Sequence, residues 1–207
     1  MCQPVPMSEK VQPELVEVLE ESRRIGHLGP GAVERHIAHA QGYVAVAEWS
    51  PTAHWCDLGS GGGVPGLVVA LEVPSSTGLL LDARRLRCEF LQASARRLGL
   101  DERLEVWEGR AEQYRARGIF DVVTARAFAR PAITAECAAP LLRPGGMLIV
   151  SDPPVGGDRW PSQITELGLE HRSVAHEAGH FSVLLRSGDI DDRFPRRFAA
   201  MSKRPLF

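Results

Sequence analysis

A chain of 207 residues, 44% hydrophobic and 24% charged, has room for one α/β domain with a real core, and too little for two. Its formal charge of −2 gives no overall field that would attract nucleic acid. No apolar run approaches the roughly 18 residues of a membrane helix, and Met1-Cys2-Gln3-Pro4-Val5-Pro6 lacks the basic-then-apolar order of a signal peptide.

Residues 8–28 predict a first helix, with Ser8 as its cap and Val11, Leu15, Val18, Leu19 and Ile25 as its apolar stripe. Gly29-Pro30-Gly31 ends it. A second helix is expected over 32–49, with Val33, Ile37, Ala40, Val44 and Ala47 along one side. After Ser50-Pro51 short apolar strands alternate with helices. Strands are expected at 54–58, 78–81, 104–107, 119–124 and 147–151, with a closing strand pair at 169–175 and 181–185. The intervening helices begin near Pro65, span 84–98 and 131–141, and end a short segment at 164–167 before Gly168. This alternation implies a mainly parallel sheet with helices on both faces. A helical N-terminal extension over 1–50 therefore precedes a single compact unit over 51–207.

Cys2, Cys56, Cys88 and Cys137 show no C-x-x-C spacing and read as free thiols of a reducing cytoplasm. All the basic residues except Lys10 and Lys203 are arginine. They cluster at Arg84-Arg85-Leu86-Arg87, at Arg96-Arg97, and in a tail with Arg193, Arg196, Arg197, Lys203 and Arg204. Guanidinium forks suit phosphate, and a GC-rich genome would also supply an arginine excess.

The richest stretch is Asp57-Leu58-Gly59-Ser60-Gly61-Gly62-Gly63-Val64-Pro65-Gly66, with Asp82 on the next apolar run. Glycines after a strand let the backbone approach a ligand, and an acidic residue roughly 20 positions on can accept from ribose hydroxyls. A dinucleotide fingerprint can be read through Gly61, Gly63 and Gly66. Asp57 argues against it, because two anions would crowd one turn. A carboxylate there suits a phosphate-free cofactor with cationic groups, such as S-adenosylmethionine.

The same decapeptide resembles the first motif of class I methyltransferases, and in particular that of the ribosomal small-subunit methyltransferase G family, also called glucose-inhibited division protein B. The family motif reads D-x-G-[ST]-G-x-G-x-P-G, and its proline-glycine is unusual among methyltransferases. Arg35-His36-Ile37 is similar to the family's R-H-I, Phe90-Leu91 to its F-L, Ala111-Glu112 to its acidic step at the adenine edge, and Phe120-Asp121-Val122-Val123-Thr124-Ala125-Arg126-Ala127 to its F-D-x-V-x-[SA]-R-A. Lys203-Arg204-Pro205-Leu206 resembles its basic tail. The resemblance implies a Rossmann-like class I methyltransferase that alkylates guanine N7 of small-subunit ribosomal RNA, without a membrane and as a monomer. It implies a cofactor set of Asp57, Gly59, Ser60, Gly61, Gly63, Pro65, Asp82, Ala111, Glu112 and Arg126. Arg126 is the candidate positioning residue. Arg35, His36, Arg84, Arg85, Arg196, Arg197, Lys203 and Arg204 are the candidates for RNA contact.

Two segments depart from the family pattern: Ser151-Asp152-Pro153-Pro154 stands where a lysine-glycine is usual, and Ala38-His39-Ala40-Gln41 where the family has D-S. They leave open a paralogue with another acceptor, or a cofactor-binding protein without turnover. Asp152-Pro153-Pro154 also matches a motif of amino-group methyltransferases, but follows the fifth strand instead of the fourth. His176-Glu177-Ala178-Gly179-His180 fits H-E-x-x-H, a zinc-protease pattern that needs both histidines on one helical face. Gly179 disfavours that helix, and the resemblance places the last hairpin there, so no metal is expected.

Overall fold

The computed structural model describes residues 13–153 and 159–207, so Ser8, Lys10, Val11 and Pro154 lie outside the described residues. Two helices, α1 (Pro13–Arg24) and α2 (Val33–Ala45), lead into a sheet of seven strands. These are β1 (His54–Leu58), β2 (Thr77–Asp82), β3 (Leu104–Glu108), β4 (Phe120–Ala125), β5 (Leu142–Asp152), β6 (Leu169–His176) and β7 (Gly179–Arg186). Their order is β3-β2-β1-β4-β5-β7-β6. β1 to β5 pair in parallel, and β7 runs antiparallel to both β5 and β6. The remaining helices are α3 (Gly66–Glu72), α4 (Arg85–Arg97), α5 (Pro131–Ala138) and α6 (Phe198–Lys203).

Strand residues alternate between two cores, as the period of two requires. Trp55, Leu80, Val122, Ile149 and Phe181 face a cluster built with α1 to α4. Cys56, Leu79, Val123, Leu148 and Leu184 face the other, with α5, α6 and the 3-10 turn Ser162–Leu167. Both faces of the central strands are covered, so β1, β2 and β4 are buried nearly throughout, whereas the edge strands β3 and β6 carry exposed polar residues. The N-terminal helices share the first core and reach the carboxyl edge of the parallel strands, where Ser22 Oγ donates to Gly62 O at 2.9 Å. Gly42 of α2 packs so closely on β7 that a Cβ there would stand 2.5 Å from Phe181 Cζ.

Three local expectations change. β5 starts at Leu142 instead of 147, because the β4 pairing steps from Phe120↔Leu142 to Val122↔Met147. The looped-out Arg143-Pro144-Gly145-Gly146 is clamped by Arg143 Nε donating to Asp121 Oδ1 at 2.6 Å. The helix expected over 131–141 ends at Ala138 and closes as the 3-10 turn Ala139–Leu141, where Pro140 lacks the donor to continue it. The basic C-terminal stretch contains α6, anchored by fully buried Met201. H-E-x-x-H falls across the β6–β7 hairpin, with His176 paired to Gly179, so its histidines sit on two strands and share no helical face.

Candidate active site

The glycine turn joins β1 to α3 at the carboxyl edge of the sheet, beside the β1–β4 junction where strand order reverses. That crevice is the usual ligand position in open α/β sheets. Gly59, Gly61 and Gly63 have φ of +69°, +53° and +97°, a region that disfavours any residue with a Cβ. The turn's N–H groups are directed inward. Gly59 and Ser60 donate to Leu81 O at 2.7 and 3.0 Å, and Gly63 donates to Ser60 O at 2.8 Å. Gly61 donates to Asp82 Oδ2 at 3.0 Å, and Gly66 to Asp57 Oδ2 at 3.2 Å. Ser60 Oγ donates to Asp57 O at 2.9 Å. A phosphate cradle needs such donors free, and these five amides are already engaged within the protein.

Asp57 is buried beneath the turn, where it also accepts from Thr124 Oγ1 at 2.7 Å. Its oxygens brace the turn against β4. Burial raises its carboxyl to about 6, against the pull of the Thr124, Ser60 and Gly66 hydrogen bonds and the Arg126 charge. Asp82 is also buried and faces the turn. Its Oδ1 accepts from Arg84 N at 2.9 Å and its Oδ2 lies 3.5 Å from Arg87 Nη1. With Gly61 N–H and Arg87 on Oδ2, the open lone pair for a ribose hydroxyl is on Oδ1. Pro65 directly precedes α3, which starts at Gly66. A Cβ on Gly66 would stand 2.3 Å from Leu80 Cδ2 and 2.8 Å from Asp57 Oδ2, so the glycine of the proline-glycine pair is a packing requirement. Ala111 is buried in a 3-10 turn after β3, and Glu112 beside it is held by Arg110 at 2.7 Å. Two buried carboxylates around a turn whose amides are largely engaged within the protein fit S-adenosylmethionine.

Next to this crevice lies a cavity of about 270 Å³, lined among others by His39, Arg126, Phe128, Ser151, Asp152 and Arg159. Arg126 follows β4 and its Nη2 donates to His36 Nδ1 at 2.7 Å, while its Nη1 is buried with no partner. His36 Nε2 lies 3.3 and 3.2 Å from the carbonyls of Gly29 and Pro30. Since Nδ1 accepts from an arginine, the ring proton sits on Nε2 and is donated there. His39 is pushed down to about 4 by burial and by the Arg126 and His36 charges, so it is neutral near pH 7. Tyr43 Oη donates to Ala125 O at 3.1 Å and accepts from Ser151 N at 3.2 Å, tying α2 to the ends of β4 and β5. Tyr43 escaped the sequence reading, and His39 and Thr124 appeared there only inside quoted segments, with no role of their own. Only their helical or strand periodicity was visible, and that marks them as packing residues.

The basic residues divide. Arg35, Arg84, Arg197, Lys203 and Arg204 are exposed, and Arg85 is exposed with a partner in Glu89 at 2.5 Å. Arg196, an RNA-contact candidate of the sequence, turns inward. Its Nε and Nη2 grip buried Glu136 at 2.7 and 2.5 Å, and Nη1 donates to Arg204 O at 3.0 Å. Arg110, just past β3, lies 4.1 Å over the Phe198 ring, which brings the start of α6 to the carboxyl edge.

The family model of rRNA small subunit methyltransferase G matches residues 28–151. The chain belongs to this family. Its similarity to the ribosomal RNA small subunit methyltransferase G of Deinococcus deserti is 35% identity over 165 residues, 73% of this chain and 67% of that protein. For the protein of the same name from Sorangium cellulosum the figures are 33% over 176 residues, 79% and 72%. The fold also resembles a SAM dependent methyltransferase from Aquifex aeolicus, with TM-score 0.57, 12% identity, and 81% and 97% of the two chains covered. Methyltransferase G membership accounts for the proline-glycine after the turn and for Arg126 at the end of β4. The family match ends at Ser151, one residue before Asp152.

Proposed function

We propose that this protein transfers a methyl group to guanine N7 of small-subunit 16S ribosomal RNA, working as a cytoplasmic monomer. The observation that carries the reading is the adjacency of a glycine turn braced by two buried carboxylates, Asp57 and Asp82, and a cavity lined by Arg126.

When bound, S-adenosylmethionine supplies an electrophilic methyl on a sulfonium. Gly59, Gly61 and Gly63 permit its close approach, Asp82 accepts from the ribose hydroxyls, and Ala111 and Glu112 border the adenine. Neutral guanine carries a lone pair and no proton at N7, so no general base is required. The Arg126 guanidinium, which lines the cavity, donates to guanine O6, next to N7, and holds the base in line for attack. Such positioning can supply roughly 7–11 kcal/mol of a barrier. His36 and Tyr43 hold Arg126 and the β4–β5 ends in place. Neutral His39 adds no second cation against the positive charge that the product purine acquires. Arg84, Arg85 and Arg35 on the same edge of the sheet, and Arg197, Lys203 and Arg204 on and around α6, neutralise RNA phosphates.

The test is incubation of the protein with labelled S-adenosylmethionine and small subunits lacking the modification, followed by mapping of the labelled base. Label at guanine N7 is expected. Label confined to protein or small molecules overturns the reading.

A further inference from the structure

Asp152 is the acidic side chain among the described residues that line the acceptor cavity. Its Oδ2 accepts from Ser182 Oγ at 2.6 Å, and its Oδ1 lies 3.4 Å from Arg159 Nη1. Ser182 is itself fixed. Its single proton goes to Asp152, so its lone pairs receive Trp160 Nε1–H at 2.7 Å and His171 Nε2–H at 3.0 Å. The carboxylate is therefore held in one orientation on rigid strands, β5 and β7. A carboxylate offers about four acceptor positions, and the contacts named leave two of them open. Its side chain is 13% exposed, enough for a ligand to reach it.

The cavity lining thus includes a donor group, the Arg126 guanidinium, and a carboxylate with spare acceptor capacity, Asp152. Guanine has the matching polarity. N7 and O6 accept on one edge, and N1–H and the N2 amine donate on the opposite one. Adenine presents an amine where O6 would be and a bare N1, so it meets a donor with a donor and an anion with a lone pair. Extruded bases are commonly read on their Watson–Crick edge.

We propose that Asp152 is the specificity-determining residue of the acceptor cavity, accepting from guanine N1–H and N2–H while Arg126 meets O6. This rests on the reading of the protein as a guanine N7 methyltransferase. It assigns a function to the residue that stands in place of the family's usual lysine.

Inosine, which lacks only the N2 amine, tests it. Small subunits are reconstituted with guanosine or inosine at the mapped acceptor position, and kcat/KM is measured on both for wild type and for Asp152→Asn. Wild type should prefer guanosine by about tenfold. Asp152→Asn turns an N–H toward the N2 amine, so its ratio should fall to about one. The ratio compares two substrates on one enzyme, so partial loss of folded protein cancels. Equal rates in wild type, or a ratio unchanged in Asp152→Asn, overturn the assignment. No transfer by wild type to guanosine-bearing subunits overturns the underlying reading instead.

Discussion

Thr124 Oγ1 donates to Asp57 Oδ1 at 2.7 Å, joining the end of β4 to the turn after β1 beneath the cofactor crevice. The bond holds a charge that burial disfavours, since Asp57 titrates near 6 and not near its ordinary value. Folding therefore carries a cost above pH 6, relieved as pH falls through 6 towards 3.8, where the unfolded chain also takes the proton. Removing the Thr124 donor raises Asp57 further. Thr124→Val should destabilise by about 2 kcal/mol at pH 7.5 and by clearly less at pH 4.5, with Thr124→Ser near wild type. Urea unfolding of the three proteins at both pH values measures this. Equal losses at the two pH values would refute it.

His39 acts in the opposite sense. Its folded value of about 4 lies below the unfolded 6.5, so it costs nothing above pH 6.5, and its cost grows as pH falls to 4. His39→Phe should flatten this part of the acid limb, leaving the Asp57 relief more visible. Thermal midpoints across pH 4–7 test it, and an acid limb identical to wild type would exclude it.

Gly66→Ala should cost about 1–3 kcal/mol, because its Cβ meets Leu80 and Asp57. The displaced Asp57 would loosen the turn, so cofactor affinity should fall with stability. Gly99→Ala is the contrast. There φ is +65° but nothing lies within 4 Å, so backbone strain acts alone and cofactor binding should be unchanged. Calorimetric titration of both variants separates the two effects.

Arg126→Lys keeps the charge but cannot both reach His36 and present a second donor to the cavity. A misplaced acceptor can cost about 10²-fold in rate. The loss is expected in kcat under saturating RNA, with an unchanged melting temperature. A variant that lost only stability would show Arg126 to be a packing residue.

Arg196→Ala and Arg197→Ala should differ in kind. The first strands buried Glu136 and should cost about 3–5 kcal/mol, with the salt dependence of RNA binding unchanged. The second should leave stability alone and reduce the slope of log affinity against log salt by roughly 0.7–0.9. Arg84→Ala should follow the second pattern. Fluorescence anisotropy across a salt series, paired with urea melts, reads both.

Chain order of the strands and helices was legible because local periodicity and glycine punctuation act over a few residues. The turn from Asp57 to Gly66 was legible for the same reason, since each glycine answers a nearby steric demand. The role of Asp57 was not. Which partner a buried carboxylate takes depends on Thr124, far along the chain and adjacent only through the parallel pairing of β1 and β4. Arg196 and Arg197 are neighbours in sequence, and only packing of the tail against α5 turns one toward Glu136 and leaves the other in water.

By itself the sequence determined the α/β class, the glycine turn and the resemblance to one methyltransferase family, all carried by short contiguous runs. Tertiary structure alone decided the acceptor side. Arg126, His39, Asp152 and Arg159 come from separate elements and share a cavity only after the sheet has formed. The chemistry of that cavity depends on which donors and acceptors are left over when every nearer partner has been satisfied, and no local pattern records that remainder.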